Sequence, residues 1–312
     1  MSGKSMNTLN IKSISCFLFL CFLNACGGGS EGSGQSESPQ LKETISEIES
    51  LVEDQLDSLN SDTDFTLYIR SETGYSFIHS TGSSTENTSY ESASTSKMVT
   101  AAVILHSVIK GELSLEDNPQ QYINDWQVTG NQAQIKLKHL LNFTSGLVSE
   151  PLCIHSGWSN FETCVGTISD DNLNISVPGT DFYYASTHLQ VAGLMAIKAA
   201  GMASWQELFA RFKDDTGLFQ TSAYDLPSVS NPRLAGGMHW TATEYMDFLE
   251  ALYHKTILSE DLIDLMITDQ LDGATISYSP ANDATGYDWH YGYGAWMECN
   301  SATYNCDPAD RV

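Results

Sequence analysis

The feature that most constrains the fold is a serine and a lysine, Ser94 and Lys97, at the start of a long apolar segment. Apolar residues then recur at helical spacing up to Gly111, namely Val99, Ala102, Val103, Leu105, Val108 and Ile109. This spacing predicts a helix that ends before the glycine. Because residues three apart share one face of a helix, we expect the Lys97 ammonium to reach the Ser94 hydroxyl.

A serine and a lysine in contact can perform nucleophilic catalysis. A serine hydroxyl is a poor nucleophile until a neighbouring base takes its proton, and a lysine can be that base when burial or nearby charge lowers its pKa. The same pattern occurs again at Ser107 and Lys110, at the end of the helix, where a lysine complements the helix dipole and needs no function. The pattern alone therefore leaves a catalytic and a structural interpretation open.

Other segments carry a family resemblance in a fixed order along the chain. They are TAA at 100–102, KGELSLED at 110–117, IKLKHLL at 135–141, TSGL at 144–147, PGT at 178–180, FYYAS at 182–186 and NPRLAGG at 231–237. From about residue 43 onwards the sequence resembles the serine β-lactamase and penicillin-binding-protein superfamily. It is most similar to class C β-lactamases and their esterase and peptidase relatives.

The resemblance implies an α/β (α+β) fold, in which an antiparallel sheet is flanked by helices and carries an inserted all-helical lobe at about 99–236. The active site would lie in the cleft between them. The residue patterns agree with this: they predict an amphipathic helix over 41–59, a hairpin with strands at 65–70 and 75–79, and a strand over 289–298. Helix caps are predicted at Ser186, Ser204, Thr241 and Ser259.

In this superfamily a Tyr-x-Asn or Ser-x-Asn element faces the nucleophile. Tyr184 and Ser186 match the tyrosine version, with serine in place of asparagine. The match implies that Tyr184 is a general acid/base whose phenolate is favoured by the Lys97 ammonium. The alternative is an aromatic residue that only packs after a Pro-Gly turn. Ser186 is expected either to bind substrate or only to cap its helix.

The third family element, a Lys/His-Thr/Ser-Gly triplet that lines the oxyanion hole, has no well-placed match. His155-Ser156-Gly157 precedes Tyr184, and His290-Tyr291-Gly292 has the wrong middle residue. The family would continue beyond Val312 with the triplet, another strand and a final helix. We therefore expect a truncated chain that lacks its C-terminal strands and helix, and with them one oxyanion donor.

The implied activity is that of a serine acyl hydrolase, in which an acyl-Ser94 intermediate forms on an ester, amide, peptide or β-lactam. No cofactor or metal is implied. The alternative is a non-catalytic binding lipoprotein on the same fold. The partner of a hydrolase would be a small-molecule or peptide substrate, and the sequence predicts no oligomeric state.

A formal net charge of −25, from 14 Lys and Arg against 39 Asp and Glu, argues against binding to nucleic acid.

The N-terminus predicts export. Lys4 and Lys12 precede an apolar stretch over 14–23 that is too short to span a membrane as a mature helix. Residues 1–26 therefore form a predicted lipoprotein signal peptide that ends in a lipobox-like LNAC, with Cys26 as the lipidated residue. An ordinary signal peptide is the alternative. Residues 27–40 are a Gly/Ser-rich tether, and 41–312 form the hydrolase domain. The expected location is the bacterial cell envelope, on the outer membrane or in the periplasm.

The cysteine positions are consistent with export. Of the seven cysteines, three lie in the leader and four follow it. In an oxidising compartment, Cys153 and Cys164 are expected to form one disulfide, and Cys299 and Cys306 a second. Zinc is the alternative, but no Cys-x-x-Cys pair or suitably spaced histidines support it.

Overall fold

The computed structural model describes residues 39–58, 63–72, 74–299 and 301–304 and divides the chain into two units at Ser58/Leu59. The predicted leader, its Cys26 and the Gly/Ser-rich segment up to residue 38 lie outside the described residues. Among the helices that are described, none combines the length and apolar character needed to cross a bilayer.

The described part of the first unit is helix α1 (Pro39–Ser58), which the apolar spacing over 41–59 predicts. Its apolar stripe is only partly buried. Val52 and Leu56 are half-buried, whereas Ile48 and Leu51 are exposed.

The second unit contains the remaining described helices and strands. The strands are β1 (Thr66–Arg70), β2 (Ser76–Ser80), β3 (Tyr90–Glu91), β4 (Asp181–Tyr183), β5 (Ala223–Tyr224), β6 (Met238–Trp240), β7 (Thr275–Tyr278), β8 (His290–Tyr291) and β9 (Trp296–Met297). The helices are α2 (Ser96–Ile109), α3 (Leu137–Leu141), α4 (Phe161–Asp171), α5 (Thr187–Ala199), α6 (Trp205–Thr216), α7 (Ala242–Tyr253), α8 (Glu260–Ile267) and α9 (Pro280–Thr285).

The predicted hairpin is confirmed. Strands β1 and β2 pair antiparallel, from Thr66 opposite Ser80 to Arg70 opposite Ser76. Strand β1 packs against α7, where the Arg70 guanidinium bonds to Asp247 at 3.1 Å and also to Glu250.

The other described strands form three small sheets, so the α/β fold class is confirmed. Strands β3, β6 and β5 form an antiparallel sheet, and β8 pairs antiparallel with β9. Strands β4 and β7 pair in parallel, and the sequence pattern did not indicate this pairing, because it joins segments almost a hundred residues apart.

Helix α5 is the centre of the predicted helical lobe. It packs against α2, α3, α4 and α6, and eleven of its residues are buried. A helix that is apolar on nearly all sides is stable only when neighbours cover all of them. Helix α5 therefore positions two parts of the chain. It packs against α2, the helix that follows Ser94, and the segment containing Tyr184 leads into its first residue.

The predicted strand over 289–298 is instead two short strands, β8 and β9, joined by a tight turn at Gly294. This glycine has φ +79°, and a Cβ there would lie 2.7 Å from the Lys97 carbonyl oxygen. Only glycine fits both the left-handed backbone and the close approach. The turn thus rests directly on the first turn of α2.

Two of the predicted side-chain caps are confirmed. The Ser204 and Thr241 hydroxyls accept hydrogen bonds from backbone N–H groups of α6 and α7. Ser186 and Ser259 precede α5 and α8, but their side chains make no capping bond.

Candidate active site

Ser94 lies in a short 3-10 turn, Ala93–Thr95, that immediately precedes α2. The turn is fixed by local hydrogen bonds: Thr95 Oγ1 donates to Ser92 O at 2.6 Å, and the Ser92 and Ser96 hydroxyls bond at 2.5 Å. Ala93 has φ +44°, a left-handed conformation that costs roughly 1–2 kcal/mol for a residue with a Cβ. The tight turn presents Ser94 to solvent, whereas Ser92 and Ser96 beside it are buried.

The predicted contact between Ser94 and Lys97 is present. Lys97 Nζ lies 3.1 Å from Ser94 Oγ and donates to the Ala235 carbonyl oxygen at 2.7 Å. Only 4 % of Lys97 is exposed. Burial, partly opposed by the charge of Glu150 and reinforced by that of Arg233, lowers the pKa of Lys97 to about 7.

Tyr184 faces the same serine. Its ring lies 4.7 Å from Lys97 Nζ and stacks on Trp296 at 5.0 Å, and Ser94 and Trp296 both act on the pKa of its hydroxyl. The expectation that Lys97 favours the phenolate is wrong. Burial dominates and raises the pKa of Tyr184, and the hydrogen bonds from Ser94 and Trp296 offset only part of that rise.

A buried histidine that sequence reasoning missed supports the segment carrying Tyr184. His188 Nε2 donates to the Tyr183 carbonyl at 2.8 Å, so Nδ1 is the acceptor for the Ser145 hydroxyl, also at 2.8 Å. Burial lowers the pKa of His188 to about 4, so the ring is neutral. It stacks on Phe143, whose ring also contacts Tyr184. These contacts of His188 therefore fix the backbone that leads into Tyr184.

Ser186 lines the cleft beside Tyr184, and its backbone N–H donates to the Glu150 carboxylate. The interpretation of Ser186 as a side-chain helix cap is wrong, because its hydroxyl accepts no bond from α5. Its hydroxyl stays available to a ligand, and substrate binding by Ser186 stays a prediction.

Neither candidate for the third motif lines the cleft around Ser94. His155 accepts a hydrogen bond from Arg233 Nη1 at 3.1 Å. His290 bonds to Asp269 at 2.7 Å and stacks on Tyr304. Tyr291, the middle residue of the second candidate, is 1 % exposed within an aromatic cluster. Both histidines are thus engaged elsewhere.

The groups around Ser94 enclose a cleft of about 290 Å³. It is lined by Ala93, Ser94, Lys97, Glu150, Tyr184, Ala185, Ser186, Arg233, Ala235, Gly236, Tyr278 and Pro280. Sequence reasoning did not identify Glu150 or Arg233 as site residues. The available signal was their position: Glu150 closely follows the TSGL segment, and Arg233 lies within NPRLAGG.

The first predicted disulfide is present. Cys153 and Cys164 are bonded at 1.99 Å and join the segment after Glu150 to α4. Cys299 is buried and disulfide-bonded, but Cys306 lies outside the described residues, so their pairing stays a prediction. Across the described ranges, no three His, Cys, Asp or Glu side chains form a group that could hold a metal ion.

Comparison with solved structures identifies this fold in several hydrolases. A protein from Bacteroides dorei DSM 17855, solved as a candidate beta-lactamase, is 26% identical with TM-score 0.68, covering 82% of this chain and 79% of its own. EstCE1, a hydrolase with promiscuous acyltransferase activity, is 17% identical with TM-score 0.64, covering 83% and 84%. The D-amino acid amidase from Ochrobactrum anthropi SV3, complexed with L-phenylalanine amide, is 16% identical with TM-score 0.61, covering 81% and 80%.

Sequence comparison finds fewer matches than the comparison of structures. Among curated protein sequences, none matches this chain significantly. The Beta-lactamase family model, however, matches residues 64–304, a span that contains Ser94, Lys97, Tyr184 and every other residue lining the cleft. The chain therefore belongs to the beta-lactamase family.

Proposed function

We propose that the protein is a serine acyl hydrolase that forms an acyl intermediate on Ser94. The observation that carries this proposal is the buried amine of Lys97, 3.1 Å from the Ser94 hydroxyl and with a pKa of about 7. An ordinary lysine is almost fully protonated at neutral pH, whereas about half of the Lys97 side chains are free amines there. A free amine within hydrogen-bond distance is a competent general base.

In the proposed acylation, Ser94 Oγ attacks the substrate carbonyl carbon and its proton passes to the neutral Lys97 Nζ. The carbonyl oxygen becomes an oxyanion. When the tetrahedral intermediate collapses, the bond to the leaving oxygen or nitrogen breaks and the leaving group takes a proton. The product of this half-reaction is an ester between the acyl group and Ser94.

Tyr184 is the proposed donor of that proton. Because burial raises its pKa, Tyr184 is protonated at neutral pH and can act as an acid. The Lys97 ammonium then returns a proton to Tyr184 through a water molecule, because Ser94 Oγ is by then an ester oxygen without a proton. In deacylation a base takes a proton from a water molecule, and the water oxygen attacks the ester carbonyl. The bond to Ser94 then breaks, and Ser94 Oγ takes up a proton.

The proposed substrates are small esters, amides, peptides or β-lactams. A cleft of about 290 Å³ has the size of a small-molecule site or of a site for the end of a peptide. The likeness to a hydrolase with promiscuous acyltransferase activity and to an amidase supports acyl transfer from oxygen or nitrogen leaving groups.

We also propose that the protein is a lipoprotein of the bacterial cell envelope. The apolar leader and the LNAC segment ending at Cys26 support this, as does the disulfide between Cys153 and Cys164, since disulfides persist in oxidising compartments.

Covalent labelling tests the proposed chemistry. A fluorophosphonate probe and a fluorescent penicillin are each incubated with the wild-type protein and with Ser94→Ala, and peptide mapping locates the adduct. We expect Ser94 to be labelled and Ser94→Ala to be unlabelled. Ser107→Ala, in the second Ser-x-x-Lys pattern of the same helix, is the matched control and should label normally. A folded wild-type protein that takes up neither probe would contradict the hydrolase proposal and favour a binding lipoprotein.

A further inference from the structure

The cleft contains an acidic side chain that the proposed serine chemistry does not use. Glu150 is exposed and is the one carboxylate among the described residues that line the cleft. Within the described residues it forms no ion pair. Its hydrogen bond is with the Ser186 backbone N–H, which leaves the second carboxylate oxygen free to accept a further bond from the cleft side.

The backbone on either side of Glu150 is fixed. The N–H groups of Val148 and Ser149 donate to Asn172 Oδ1 at 3.0 and 2.9 Å, and the disulfide at Cys153 follows three residues later. The bond to Ser186 ties the carboxylate to the segment that also carries Tyr184. A carboxylate held in this way is preorganised for a ligand and loses little freedom on binding.

The cations in the cleft do not neutralise this carboxylate. Arg233 donates from Nη2 to the Gly236 carbonyl and from Nη1 to His155 Nδ1, both at 3.1 Å. Lys97 points its amine at Ser94 and Ala235, and it must be uncharged when it acts as the base. In the reactive state Glu150 therefore has no ion-pair partner among the described residues, and the charge of Arg233 is directed at other acceptors.

We infer that Glu150 binds an ammonium group on the acyl part of the substrate, so that the enzyme acts on amides, esters or short peptides of amino acids whose amino group is free. This inference rests on the proposed function, because it concerns the acyl group that Ser94 attacks. Glu150 and Ser94 line one small cleft, which suits an amine and a scissile carbonyl on adjacent carbons. A charge-assisted bond to that amine would orient the carbonyl toward the nucleophile.

The competing interpretation is that Glu150 serves only to hold the Ser186 backbone. Glu150→Gln separates the two, because glutamine keeps an oxygen that can accept from the Ser186 N–H but carries no charge. Glu72→Gln is the matched control, since it removes the same charge from an exposed position outside the cleft.

The test compares binding of phenylalanine amide with binding of N-acetylphenylalanine amide, which lacks the ammonium, by calorimetry near pH 7. Both enantiomers are used. All measurements are made on Ser94→Ala, alone and combined with Glu150→Gln or Glu72→Gln, so that no turnover interferes. We expect Ser94→Ala to bind one enantiomer of the free amine about tenfold or more tightly than its N-acetyl counterpart, the strength of one charge-assisted hydrogen bond. Glu150→Gln should abolish that preference, and Glu72→Gln should keep it.

Equal binding of the two amides, or a preference that survives Glu150→Gln, would overturn the inference. Fluorophosphonate labelling of the protein with Ser94 intact reports separately on the hydrolase proposal. Labelling without amine preference removes the inference and keeps the hydrolase. Amine preference without labelling keeps Glu150 as an ammonium site and removes the hydrolase.

Discussion

The lowered pKa of Lys97 predicts how the acylation of Ser94 depends on pH. Burial brings this pKa from 10.5 to about 7, and only the neutral amine can take the serine proton. Below pH 7 the neutral fraction falls from roughly one half at pH 7 to roughly one tenth at pH 6 and roughly one hundredth at pH 5. The acylation rate should therefore rise about fiftyfold from pH 5 to 7 and reach a plateau above pH 8.

The assay is the pseudo-first-order rate of labelling by a fluorophosphonate, which does not itself ionise in this range, measured from pH 5 to 10. Charge substitutions supply an internal check, because Glu150 raises and Arg233 lowers the pKa of Lys97. Glu150→Gln should move the midpoint to lower pH, and Arg233→Gln should move it to higher pH. A rate that is flat between pH 5 and 7, or that keeps rising to pH 10, would refute the argument that the buried amine is the base.

Four further predictions follow from the geometry and the leader. Tyr184→Phe should reduce kcat/KM for amide hydrolysis about 10²–10⁴-fold without lowering Tm, because it removes only the acid; an unchanged rate would exclude that role. Gly294→Ala should lower Tm and slow labelling together, at a cost of about 1–3 kcal/mol in urea unfolding, since its Cβ would meet the carbonyl oxygen of Lys97 at 2.7 Å; unfolding like wild type would contradict the packing. Replacing Cys153 and Cys164 with alanine should cost about 2–3 kcal/mol of unfolding free energy, and dithiothreitol should then have little further effect. Cys26→Ser should abolish incorporation of radiolabelled palmitate in the producing cell, and label retained by the variant would argue for an ordinary signal peptide.

The parts of the site that were predictable are those set by neighbours in sequence. Ser94 and Lys97 are three residues apart, so local backbone geometry alone brings them within 3.1 Å. The hairpin β1–β2 and the disulfide from Cys153 to Cys164, 11 residues apart, are short-range in the same way.

What the sequence could not predict depends on long-range assembly. Glu150 and Arg233 are far apart in sequence and line one cleft with Ser94 only once the chain has folded. The direction of the pKa shift at Tyr184 was misjudged because its largest cause, burial, exists only once the chain has folded.

The way α2 is anchored bears on which substitutions the site can tolerate. Lys97 donates to the carbonyl of Ala235 at 2.7 Å, and Thr100, one turn later, donates to the carbonyl of Leu234, also at 2.7 Å. Both acceptors belong to the main chain, so every amino acid supplies them. Ala235 is 2 % exposed within the apolar core, so in a saturation scan position 235 should accept only small uncharged side chains. A one-residue insertion, which shifts the peptide plane, should abolish function whatever the side chain.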